Sequence, residues 1–95
     1  MAQVSTVLQG HPDDIKVALT ALAASNEIQI VQKTMANGKY LVIYDNAGTA
    51  GQVIFDFKGA PSDLSTYING LIASAYTIDE VAATFANSIT LVIVR

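Results

Sequence analysis

Cysteine is absent from this chain of 95 residues, which removes disulfide scaffolds, thiolate zinc sites and cysteine nucleophiles together. Charge is almost as scarce. Charged residues make up 14% of the sequence, against about 25% in an ordinary soluble domain. The five cations (Lys16, Lys33, Lys39, Lys58 and Arg95) stand singly among eight acids, for a net charge of -3. No run of them forms the basic stripe that neutralising phosphates requires, so nucleic acid is not an expected partner. Histidine occurs once, at His11. No segment approaches the roughly 18 consecutive apolar residues of a membrane span. The opening stretch "MAQVSTVLQGHPDD" lacks the basic start and apolar run of a signal peptide. The expectation is a soluble protein, cytoplasmic or part of a virion, with no membrane partner.

What the chain does contain is a repeated phrase. Residues 34–44 read "TMANGKYLVIY" and residues 84–94 read "TFANSITLVIV". Outside that phrase, "GHPDDIKVALTALAAS" at 10–25 lies over "GAPSDLSTYINGLIAS" at 59–74. Gly10, Pro12, Asp14, Leu22, Ala24 and Ser25 meet Gly59, Pro61, Asp63, Leu71, Ala73 and Ser74. The offset is 49 in this block and 50 in the later one, so one residue is inserted after Ser74. Upstream, "QVSTVLQG" lies over "QVIFDFKG". A period of this length is that of a supersecondary unit which must share its core with a neighbour.

Each unit can therefore be read twice. Ile15, Ala18, Leu19, Leu22 and Ala23 fall on one helical face, and Leu64, Tyr67, Ile68, Leu71 and Ile72 repeat the spacing. Each helix opens with proline, whose missing N–H costs nothing there, and carries an aspartate two residues later beside the unpaired amides. A short strand ending at glycine precedes each helix, at Val4–Gln9 and at Val53–Lys58. After the first helix, "EIQIVQKTMANGKYLVIYD" reads as a hairpin whose Asn37-Gly38 suits a type I′ turn. Asn87-Ser88 takes the same place in the second unit. Over residues 77–86 two readings compete. Thr77 with Glu80 suggests a capped helix, whereas the position in the repeat suggests a strand, which is the reading adopted.

The expected fold class is α+β: a tandem duplication of a β-α-β-β unit, an antiparallel-rich sheet or sheets with two helices packed on one face, and a pseudo-twofold. The two repeats, 2–45 and 51–95, form one domain joined by the small-residue linker 46–50. "YLVIY" and "TLVIV" are nearly continuous apolar runs, as in strands buried on both sides. The second face can be covered by closure of the sheet, by packing of one half on the other, or by a second subunit.

The repeat also sorts candidate functional residues, because polar side chains present in only one copy are freer to serve function. His11 is matched by Ala60 and sits beside a helix start with Asp13 and Asp14, where a histidine can act as a base or a ligand. It lacks a second histidine or a cysteine to complete a metal site, so no metal or other cofactor is expected. Asp13, Asp14 and Asp63 repel a phosphate from either helix start. Tyr40, Tyr44 and Tyr67 lack tyrosine counterparts, and tyrosine suits positions with one end buried and the other wet. With Lys39 and His11 they form the set of partner-contact candidates.

Two functional expectations follow. The first is a non-enzymatic structural or assembly protein that forms homo-oligomers or docks on a larger assembly. Its low charge and many Ala, Thr, Val, Ile and Asn residues suit a bacteriophage virion component such as a capsid decoration or tail protein. The alternative is a small-molecule-binding module or small α+β enzyme using a site near His11.

Overall fold

The computed structural model describes residues 2–84 and 88–95. Their element order is β1 (Gln3–Gln9), α1 (Pro12–Ala23), β2 (Glu27–Lys33), β3 (Lys39–Asp45), β4 (Val53–Lys58), α2 (Pro61–Ala73), β5 (Ile78–Ala83) and β6 (Ile89–Val94). The strands form two three-stranded antiparallel sheets, ordered β1-β3-β2 and β4-β6-β5. In each sheet the last strand of the unit lies between the other two. The helix therefore connects two strands that flank a third. Segment 78–83 is a strand, as its position in the unit suggests, and not a capped helix.

The two units agree in local detail. β2 and β5 carry a register irregularity at the same place, between Ile28 and Ile30 and between Ile78 and Glu80. Gly10 N–H donates to Gly38 O at 2.8 Å, and Gly59 N–H donates to Ser88 O at 3.0 Å. Ala75, which follows Ser74 where the spacing of the two units changes, adopts the left-handed φ of 74°. Ala75 N–H bonds Ile72 O and Tyr76 N–H bonds Leu71 O. This paired closure of the last carbonyls is the Schellman arrangement, ordinarily built on glycine.

The hairpin between β2 and β3 differs from the expected type I′ turn. Such a turn needs positive φ at both central residues, and only Gly38, at 75°, has it. Lys39 N–H closes the turn on Ala36 O, while the Thr34 hydroxyl accepts from Ala36 N–H. Thr34 N–H donates to Lys39 O, so four residues rather than two span the loop and Asn37 is not forced into the left-handed region. Of the corresponding Asn87-Ser88 turn, Asn87 lies outside the described residues.

The helices occupy different environments, which departs from the expected pair on one face. Ile15, Leu19 and Ala23 of α1 belong to one buried cluster with Ile28, Val31, Tyr40 and Val42 of the first sheet. The same cluster includes Ile54, Ala82, Leu91 and Ile93 of the second sheet. α1 is therefore packed between the two sheets. Neighbouring residues of a strand point to opposite faces, so Phe55, Phe57, Val92 and Val94 face away from α1. There Tyr67 of α2 stacks on Phe57, with ring centroids 5.0 Å apart. The order runs first sheet, α1, second sheet, α2, with the two sheets meeting directly along their β2 and β5 edges and α1 held in the wedge between them. This order has no twofold relation, because the bare face of the second sheet meets α1 whereas α2 contains no buried residue. β6 accordingly buries both its faces, Leu91 to Val94 being almost wholly inaccessible. Its unbroken apolar run has that cause.

Candidate functional site

The partner-contact candidates do not converge. His11 is the N-cap of α1, with extended backbone at φ -67° and ψ 153°. Its Nδ1 accepts from Asp13 N–H at 3.3 Å, while its own N–H donates to Asp14 Oδ2 at 3.3 Å. Lys39 is exposed at the head of β3, paired with Gln9. The Gly10–Gly38 bond brings its loop to the same end of the first sheet as His11. Tyr40 is only 1% exposed, deep in the shared cluster. Tyr44 packs partly buried against that cluster at the opposite end of β3. Tyr67 is half-buried on α2, held by its stacking on Phe57.

Next to the first turn of α1 lies an open groove of about 370 Å³ lined by Asp13, Lys16, Val17, Thr20 and Asp56. Lys16 Nζ donates to Asp56 Oδ1 at 2.9 Å, tying α1 to β4. That hydrogen bond, aided by the ammonium charge, holds the Asp56 carboxyl below its ordinary range despite some desolvation. Lysine and aspartate thus answer one another inside the groove. Among the described residues, no group of three or more His, Cys, Asp or Glu is arranged to hold a metal ion.

A denser polar cluster joins the two units. Ile28 N–H donates to Gln52 Oε1 at 2.6 Å, and Gln52 Nε2 donates to Ile28 O at 2.9 Å and to Asp79 Oδ2 at 2.8 Å. The glutamine amide thereby takes the place a neighbouring strand would occupy on the open edge of β2. Arg95 spans Asp79 and Glu27 through Nε and Nη2. Its guanidinium pKa is raised, chiefly by the hydrogen bond to Glu27 and further by Asp79, against a desolvation that lowers it. Glu80 Oε2 accepts from Val31 N–H at 3.2 Å. Carboxylates and an amide thus span the seam between β2 and β5. No buried side-chain nitrogen or oxygen among the described residues lacks a hydrogen bond. The seam is therefore a satisfied joint between units. It escaped the sequence reading, although Arg95, Glu27 and Glu80 face Asp45, Thr77 and Ile30 across the repeat. Their mismatch between the two units is the signal in the sequence that marks them.

The remaining surface of note is apolar. Beyond α1, the outer side of the first sheet bears Val7, Ile30, Leu41 and Ile43, with Val7 57% and Ile30 38% exposed. At the opposite end of the layers, Ile72 of α2 is 52% exposed and Leu64 and Ile68 are half-buried. No family model matches the chain, and neither a curated protein nor a solved structure shows significant similarity to it.

Proposed function

We propose that this chain is a tandem duplication working as a non-enzymatic assembly protein, one that forms homo-oligomers or docks on a larger structure. The observation that carries the reading is the pair of part-covered apolar surfaces at the two ends of the layer stack, on a chain with little charge. A contiguous apolar surface rimmed by polar residues is characteristic of protein contact. The serine, glutamine and lysine side chains around Val7 and Leu41 provide such a rim. The same composition suits a bacteriophage virion component, such as a capsid decoration or tail protein. Sedimentation and native mass measurement at micromolar concentration should give a defined species heavier than the monomer. A clean monomer throughout would overturn the assembly reading.

A second reading rests on the groove along the first turns of α1, lined by Asp13, Lys16 and Asp56, whose volume lies in the range of small-ligand sites. In it, Lys16 and Asp56 orient a small polar ligand and His11 contributes from the adjoining cap. Thermal-shift screening would reveal such a ligand. A shift that survives Lys16→Ala and His11→Ala unchanged would remove this site.

A further inference from the structure

Inside the chain, the second sheet covers α1 with the face bearing Ile54, Leu91 and Ile93, and the buried stripe beneath it is Ile15, Leu19 and Ala23. The residues at the corresponding positions of the other unit are Ser5, Leu41 and Ile43 on the first sheet and Leu64, Ile68 and Ile72 on α2, so the apolar match is complete except at Ser5, which stands where Ile54 does. Every one of these is more accessible than its counterpart. Leu91 and Ile93 are 1% and 0% exposed, whereas Leu41 and Ile43 are only half-buried. Ala23 is 1% exposed and Ile72 is 52% exposed. The surfaces that meet inside the molecule thus recur at its two ends, one of each kind.

We propose that copies of this chain stack head to tail, with the bare face of the first sheet of one copy seated on the α2 stripe of the next. The contact repeats the packing of the second sheet on α1. The proposal rests on the assembly reading and specifies its partner as a second copy and its geometry as heterologous. Two different surfaces then meet at every junction, so assembly closes into a ring or grows as a filament, according to the rotation between copies. Within the chain the contact includes the Lys16–Asp56 and Arg95–Glu27 pairs, while the corresponding positions at the ends are Ser65 with Val7 and Thr77 with Asp45, so the contact between copies has no counterpart of these ion pairs and rests on the apolar surfaces.

Two substitutions at exposed positions test the geometry: Val7→Lys blocks the sheet end and Ile72→Lys blocks the helix end. Neither side chain is needed to fill the core, and each variant should melt as a folded monomer. Val7→Gln and Ile72→Gln are milder replacements should a lysine variant fail to fold. Wild type should form species larger than a dimer, or a closed ring, by sedimentation velocity. Each variant alone should remain monomeric. Mixed in equal amounts, the two should form a dimer and nothing larger, because one intact surface of each kind remains. A mixture that stays monomeric would falsify the head-to-tail contact. So would a wild-type dimer that one of the two substitutions leaves intact, a result that preserves the assembly reading while replacing its geometry. A wild-type monomer would overturn both.

Discussion

At the scale of single residues, Gln52 shows how a polar side chain can substitute for a missing strand. Its amide satisfies both the N–H and the C=O of buried Ile28 and still reaches Asp79. Truncation leaves two backbone groups without partners in a site that is almost inaccessible to water. Gln52→Ala should therefore cost about 1–3 kcal/mol in urea denaturation, whereas Gln3→Ala, at the matched exposed position, should cost far less. The Lys16–Asp56 pair predicts a pH effect of known sign. Asp56 has its folded pKa lowered, so its contribution is present above the unfolded-state value and is lost as pH falls through the folded one. The pair is roughly half exposed, which limits the effect to below about 1 kcal/mol. Wild type and Asp56→Asn should differ slightly in melting temperature at neutral pH and converge in strong acid. A gap that stays constant across that range would show that the charge plays no part.

At the scale of elements, both helices were legible because proline, aspartate and the apolar spacing agree in both units. Segment 78–83 was legible only by comparison, since its capping pattern argues for helix while its position in the unit argues for strand. The turn at 34–38 was misread because the dipeptide Asn37-Gly38 specifies a tight turn only when the flanking residues pair directly, and Thr34 binds the loop instead. Ala75 carries a further expectation. A left-handed backbone costs a residue with a Cβ about 1 kcal/mol relative to glycine, and Ala75 has φ 74°. Ala75→Gly should raise stability by about that amount in denaturant titration. A loss instead would mean that the alanine methyl contributes packing which outweighs its strain.

At the scale of the whole molecule, the two units depend on each other unequally. Removing residues 49–95 strips the cover from Ile15, Leu19 and Ala23. It also removes Gln52, Asp79 and Arg95 from the edge of β2. The isolated stretch 1–48 should show neither cooperative thermal unfolding nor slow amide exchange; a sharp melting transition would contradict a shared core. The five candidates selected from sequence were not brought together, because a residue unmatched in the other copy can be unmatched for different reasons. Tyr40 fills core volume, Tyr67 stacks on a phenylalanine and His11 caps a helix. Only Lys39 and His11 share an exposed end of the first sheet.

The sequence by itself determined the kinds and order of the elements and the need to bury both faces of "TLVIV", while the same expectation for "YLVIY" fails because Leu41 and Ile43 remain half-buried on the outer side of the first sheet. Periodicity, proline placement and turn residues are local signals, and the repeated text let each be read twice. Only the tertiary structure decided which surface covers which. Both units carry nearly the same apolar pattern, so a shared face, a sandwich and a subunit contact all satisfy it. What distinguishes them is the long-range seam of Gln52, Asp79, Arg95 and Glu27. These side chains meet only after the second sheet has folded over α1, and their contacts across sequence are invisible to any local pattern. That closure buries one helix, leaves the other part-covered, and so produces the two unlike ends of the molecule.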